Sequence, residues 1–281
     1  MTMLETRFKW LYAASLALSG AILGQMLLYA LQQIFKWKSL YNIFDLCVIL
    51  FKDLHVPAPV AWHVVNAIIL YSFSAVLWIS ARHFLGSIKS MKLVEMYQDP
   101  HLTEQYRDKF QLAEGRFQII SYKAPIAMTI GLWKPRMILS SGLMDMLEPN
   151  ELHAVIEHEK CHMEHRDPLA IFLLSIISKS MWYIPIFAWL ADKYPIMIEL
   201  RADKYAITQM KQSAHLGSAL LKLLKQSPTP HVSLSHASFA ETSMNVRIMH
   251  ILDPQMKISF KWPLVRLLIS LLTIILLVGL I

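Results

Sequence analysis

Only two cysteines, Cys47 and Cys161, occur in 281 residues, so no disulfide framework can hold this chain together. Charge is scarce as well: 17% of residues are Asp, Glu, Lys or Arg, whereas 55% are hydrophobic. With a mean hydropathy of +0.41, that balance excludes an ordinary soluble domain and a disordered chain. No internal repeat, low-complexity tract or nucleic-acid-binding motif is present, so the formal net charge of +7 fits anionic lipid better than DNA or RNA.

What is present in quantity is long apolar sequence. Three stretches, about Leu11–Phe35, Val60–Leu85 and Pro263–Ile281, are candidates to cross a bilayer. The first has no small-residue cleavage site before Lys36 and reads as an anchor rather than a secretory leader. Basic residues are even around it, with Arg7 and Lys9 against Lys36 and Lys38. They favour the inner side of the other two, with Arg82, Lys89 and Lys92 after the second and Lys257, Lys261 and Arg266 at the start of the third. The expectation is a multi-pass protein whose central region is cytoplasmic. Its parts are 1–85 with two transmembrane helices, a catalytic domain over 86–256, and a last span over 257–281. Tyr41 to Phe51 is too short to cross and is expected in the interface.

The most specific signal is His158-Glu159-Lys160-Cys161-His162. Residues four apart share a helix face, so both imidazoles can reach one metal ion, and Glu159 then points to the open coordination position, where a carboxylate can take a proton from water. Pro149-Asn150-Glu151 predicts the helix start, and His165-Arg166-Asp167-Pro168 closes it. Within it, Leu152, Val155 and Ile156 supply an apolar stripe. Glu199-Leu200-Arg201-Ala202-Asp203 offers the third ligand. Glu199 and Asp203 share a face, so Glu199 can bind Zn2+ while Asp203 orients a ligand histidine. Taken alone, the same five residues read more readily as a solvated helix face; following HEKCH in the same chain, they read as ligand and support. Glu159 is the expected catalytic base, Arg247 a candidate donor to an oxyanion or a headgroup contact. Cys161 is not on the ligand face, and the scattered methionines read as packing.

Leu169 to Leu190 is apolar enough to cross, but one crossing would put Glu199 and His158 on opposite sides of the membrane. Lys179 and Pro185 also argue against a plain lipid-facing helix, so a re-entrant or interfacial hairpin is expected over about 169–195. Before the motif, Phe117–Tyr122, Ile126–Ile130 and Arg136–Ser140 read as short strands. Mixed charge from Lys89 to Glu114 suggests helix, and helix continues from Asp203 to about Gln226. The Ser-, Ala- and His-rich stretch from His231 to Thr242 reads as a gate or self-cleavage region.

HEKCH, HRDP, an apolar segment with Trp182-Tyr183-Ile184-Pro185, and IELRAD together resemble the membrane-embedded gluzincins. The likeness is chiefly to the signal-transducing BlaR and MecR peptidases and, more distantly, to the HtpX and CAAX-prenyl endoprotease group. It runs from about Pro125 to Asp203, with a weaker echo in Asn245-Val246-Arg247-Ile248. It implies an α-helical integral membrane protein with an α+β gluzincin domain, zinc at His158, His162 and Glu199, catalysis by Glu159, and Asp203 behind the ligands. It also implies a bacterial plasma-membrane location and a protein or peptide substrate, such as a transcriptional repressor or the chain itself. A strand beside the cleft would pair with extended substrate. BlaR-type receptors continue into a penicillin-binding sensor. This sequence ends at Ile281, so a separate sensor protein or the lipid state is the expected source of a signal. An HtpX-like quality-control protease and a non-catalytic zinc sensor are the alternatives. Sequence does not fix the oligomeric state.

Overall fold

The computed structural model describes residues 2–36, 57–226, 244–253, 256 and 260–278. Cys47, the expected interfacial stretch 41–51 and the Ser- and His-rich stretch 231–242 lie outside them. The described chain is mostly helical, with one three-stranded sheet, and divides into two compact units.

The first unit comprises Met1–Phe84, Leu173–Lys193 and Ser259–Ile281. Helix α1 runs over Thr2–Phe35 and α2 over Ala58–Met96. Both contain a segment long and apolar enough to cross a membrane. The last helix, here α10 (Leu264–Val278), is apolar but covers only 15 described residues. Two further helices, α6 (Asp167–Ser180) and α7 (Pro185–Met210), meet in this unit at a turn over 181–184. Leu169 to Leu190 is therefore two helices joined by a tight reversal. Breaking a helix leaves carbonyls and N–H groups without partners, which is costly in apolar surroundings. Neighbouring helices supply those partners. Tyr71 Oη donates to Lys179 O at 3.2 Å and Ser72 Oγ to Ser180 O at 3.1 Å, while Ile186 N donates to Ser270 Oγ at 2.9 Å. Met26, Tyr29, Met181 and Ile184 are buried around the turn.

The second unit comprises Leu85–Phe172 and Tyr194–Ile258. After α2, Asp99 caps α3 (Pro100–Lys109) by accepting from Leu102 N, so the helix expected over Lys89 to Glu114 is interrupted over 97–99 and ends at Lys109. Strands β1 (Phe117–Ile120), β2 (Ala127–Ile130) and β3 (Arg136–Ser140) follow. Their order is β1-β3-β2, with β1 parallel and β2 antiparallel to β3. The buried Ser140 Oγ accepts from Ile126 N and donates to Ala124 O, fixing the entry to β2. Helix α4 (Ser141–Met146) begins at once, and a Cβ at Gly142 would collide with Lys123 O; only glycine lets that loop lie so close.

Helix α5 spans Pro149–His165. Proline sits at its first position, and Glu148 and Glu151 form a capping box. Arg166 ends it in a left-handed conformation, and α6 starts at the next residue. Leu152, Val155 and Ile156 of α5 pack with Phe117, Ile119, Met137 and Leu139 of the sheet, which lays β2 alongside the helix. On its other side α5 meets α8 (Ala214–Gln226), and residues 244–252 form α9. Helix does not run unbroken from Asp203 to Gln226: Lys211, at φ 57°, separates α7 from α8.

Candidate metal centre

His158 and His162 lie one turn apart on α5 and project together, as the four-residue spacing requires. Their Nε2 atoms are 3.0 Å apart. Glu199, on α7, closes a triangle with Oε2 at 3.4 Å from His158 Nε2 and Oε1 at 3.6 Å from His162 Nε2. Tetrahedral zinc with bonds of about 2.0–2.1 Å separates its ligand atoms by about 3.3 Å. The three edges fall within a few tenths of an ångström of that value, so the three residues could hold such an ion.

The groups behind them point the same way. His158 Nδ1 lies 2.9 Å from Asp203 Oδ1, a hydrogen-bonding distance although the N–H is off line, and His162 Nδ1 lies 2.8 Å from Asp167 Oδ2. Protons held on both Nδ1 atoms leave two Nε2 lone pairs facing each other, which is favourable only with a proton or a metal ion between them. Each aspartate is backed by a guanidinium. Arg247 Nε and Nη2 donate to Asp203 at 2.8 and 2.7 Å, and Arg201 Nη2 donates to Asp167 Oδ1. Glu159, Asp167, Glu199 and Asp203 against Arg201 and Arg247 leave two negative charges in excess when both imidazoles are neutral, the complement of a divalent ion.

The protonation behaviour reflects this field. Burial opposes a charged His158, but hydrogen bonds to Asp203 and Glu199 outweigh it and raise the pKa to about 10. Burial alone would raise Glu199; the bond to His158 and the charges of Arg247 and His162 hold it at about 2. Asp203 is held well below the usual carboxylate range by His158 and Arg247, against the effect of its burial.

Glu159 faces the cleft from the same helix. Thr129 Oγ1 of β2 lies 2.8 Å from Glu159 Oε2 and 3.1 Å from Glu159 O. The edge strand therefore holds this carboxylate directly. Arg247, read from sequence as an oxyanion donor or a headgroup contact, is only partly exposed here, its side chain turned in to the carboxylates. Besides Asp203 it meets Glu199, with Nη1 2.8 Å from Oε2. Cys161 is buried and outside the triangle; burial pushes its thiol up to about 11, unlike a ligand thiolate. His165 turns back to Cys161 O at 2.9 Å, and His153 lies 3.7 Å from Glu157.

Three residues of this cluster escaped the sequence. Asp167 reads there as part of a helix end, being five residues past His162 and beyond the α5 periodicity. Arg201 is two residues from Glu199 and so on the opposite side of the helix. Thr129 had no signal beyond lying in a short strand.

Comparison with known proteins gives the same direction. The protease HtpX homolog 2 of Methanosarcina mazei is 24% identical over 251 residues, covering 76% of this chain and 80% of that protein. The protease HtpX homolog 2 of Methanosarcina acetivorans is 27% identical over 116 residues, covering 41% and 37%. The regulatory protein BlaR1 of Bacillus licheniformis is 25% identical over 137 residues, 47% of this chain but 22% of that protein. The family model described as BlaR1 peptidase M56 matches residues 51–251, and the chain belongs to that family.

Proposed function

We propose that this chain is a membrane-bound zinc metalloendopeptidase of the gluzincin type. In this reading it is a multi-pass protein of a bacterial plasma membrane, with its catalytic domain (86–256) on the cytoplasmic side and zinc held by His158, His162 and Glu199. One observation carries it: the Glu159 carboxylate is fixed by Thr129 beside a three-residue cluster of tetrahedral size. When bound, zinc would supply Lewis acidity, making water a nucleophile at neutral pH and polarising the scissile carbonyl.

The chain's own residues do the rest. Glu159 takes the proton of the attacking water and delivers it to the leaving amine. Thr129 keeps the carboxylate aimed at that position. Asp203 and Asp167 hold the proton on Nδ1 of His158 and His162 and so keep each Nε2 free to ligate, and Arg247 and Arg201 hold the aspartates. We assign Arg247 to this positioning role, because three of its nitrogens already meet carboxylate oxygens.

Strand addition supports substrate binding. Ser140 N donates to Ile126 O and Met137 N to Arg116 O, so alternation turns the N–H and C=O of Ala127 and Thr129 to the outer edge of β2. Among the described residues no strand pairs with that edge. An extended peptide laid there gains main-chain hydrogen bonds without a demand on its sequence.

Regulatory cleavage of a repressor or of this chain is the role we favour on the family match. A quality-control protease is the second reading, favoured by the HtpX-named relative that aligns over 76% of this chain. A non-catalytic sensor has no use for Glu159 in this position. Newly exposed N-termini should be compared in native cells with wild-type or Glu159→Gln protein. A few Glu159-dependent cuts support signalling, and many scattered cuts in membrane proteins support quality control. No difference under any inducing condition would remove the case for a constitutively active protease.

A further inference from the structure

A cavity of about 550 Å³ lies at the end of the sheet where β1 and β3 begin and β2 ends, against the last turn of α5. No residue of the metal centre lines it. Four basic residues do: Arg116 ahead of β1, Lys134 in the β2–β3 loop, Arg136 at the start of β3 and Arg166 at the α5–α6 junction. The acidic residues of the lining are Glu114 and Glu164, which leaves two positive charges in excess. Among the described residues none of these six forms an ion pair.

Arg116 is half-buried and held from two sides, with Nε donating to Pro135 O and Nη2 to Met163 O, both at 3.4 Å. These bonds fix the guanidinium without neutralising it and leave its other N–H groups for a ligand. Trp133 lines the same cavity, is 73% exposed and adds an indole N–H. Arginine, lysine and tryptophan side chains donate hydrogen bonds and accept none. Apart from the two carboxylates, the polar side chains of the lining are therefore all donors. Like charges gathered in one concavity repel, and an anion with several acceptor oxygens relieves that repulsion. One guanidinium is enough to match a carboxylate. Separate donors around a twofold excess of charge suit a dianion with three oxygens, the chemistry of a phosphate.

We propose that this cavity is a binding site for a phosphate dianion, carried by a lipid headgroup or by a soluble phosphate. Arg116, Lys134 and Arg166 hold it, and Arg136 adds charge at the sheet end. Bound phosphate ties the sheet to the turn of α5 that carries His162, because Met163 O already anchors Arg116. The site stands independently of the peptidase reading.

The test follows thermal unfolding of full-length protein in neutral phosphatidylcholine nanodiscs. One arm adds inorganic phosphate, with chloride holding the ionic strength constant. The other brings in phosphatidic acid at rising mole fraction, with phosphatidylglycerol as the control for surface charge. A ligand that binds the folded state raises the midpoint as its site fills. The expected result is a saturable rise in at least one arm, and the arm identifies the source. Lys134→Gln and Arg166→Gln, both at exposed positions, should each weaken that binding about tenfold, roughly the worth of one charge-assisted hydrogen bond, whereas Lys134→Arg should retain it. No saturable rise in either arm would overturn the proposal. So would a rise that both Gln variants keep in full, the behaviour of phosphate held at the metal centre. An acidic peptide that binds where neither phosphate source does would also overturn it, and would assign the cavity to a protein ligand.

Discussion

At the scale of single residues, two arginine–aspartate–histidine chains converge on one point, Arg247–Asp203–His158 and Arg201–Asp167–His162. Only the first had a signature in the sequence, because Asp203 repeats Glu199 one turn later. Asp167 and Arg201 are joined by a helix reversal, which no periodicity reports. Thr129 is the most testable of the unforeseen residues. Thr129→Val keeps the strand's shape and removes the hydroxyl from Glu159. A lost hydrogen bond to a charged group is worth about 1.5–3 kcal/mol. We expect kcat to fall about ten- to a hundredfold, with KM and zinc content unchanged and with Thr129→Ser restoring most of the rate. Steady-state kinetics with zinc analysis checks this. Zinc affinity itself should depend on pH. His158 is raised to about 10 from an ordinary 6.5, so its charged form stabilises the metal-free fold fully below about pH 6.5. That contribution fades as pH rises through 10. Zinc must displace this proton, and its affinity should rise about tenfold per pH unit between pH 6 and 8. Calorimetry in buffers of different ionisation enthalpy reads the released proton directly, and a pH-independent affinity would contradict the assignment.

At the scale of elements, α5 is held at its N-terminus by one buried acid. Glu151 accepts from Glu148 N at 2.9 Å, from Ser218 Oγ at 2.5 Å and from Lys222 Nζ at 2.7 Å. Glu151→Ala would strip the capping box and leave Lys222 unpaired, at a cost of about 3 kcal/mol. The expected outcome is a lower midpoint of thermal unfolding with zinc geometry intact in the protein that remains folded. Most of α5 was legible in the sequence: Pro149 at its first turn, the apolar stripe, and the end before Pro168. The three strands were legible too, within one to two residues, because Gly and Pro punctuate them. Two helix breaks were not. Asp99 acts as a cap only because Ile119 O and Thr103 secure its backbone, and Lys211 turns left-handed with no glycine to announce it. The reversal at 181–184 was inferred from a topological demand rather than from turn residues. Its tertiary caps, Tyr71, Ser72 and Ser270, lie far away in sequence.

At the scale of the whole molecule, α1 and α2 each contain a membrane-length segment, and one compact unit carries every residue of the candidate metal centre. The excess of Arg and Lys after the second apolar segment predicts that the catalytic unit faces the cytoplasm. In a protein with Cys47→Ser, Trp133→Cys places a thiol at an exposed position of that unit. A membrane-impermeant maleimide should label it in inverted vesicles and leave it unlabelled in intact cells; the reverse pattern would place the catalytic unit outside. The central claim, that His158, His162 and Glu199 hold zinc and Glu159 does the acid–base work, is tested most directly on purified full-length protein. Zinc stoichiometry and peptide hydrolysis are measured together for wild type and Glu159→Gln. The account predicts one zinc per chain in both and a fall in cleavage of about 10²–10⁴-fold in the variant. Cleavage by Glu159→Gln at the wild-type rate, or a wild-type protein that binds no zinc, would contradict it.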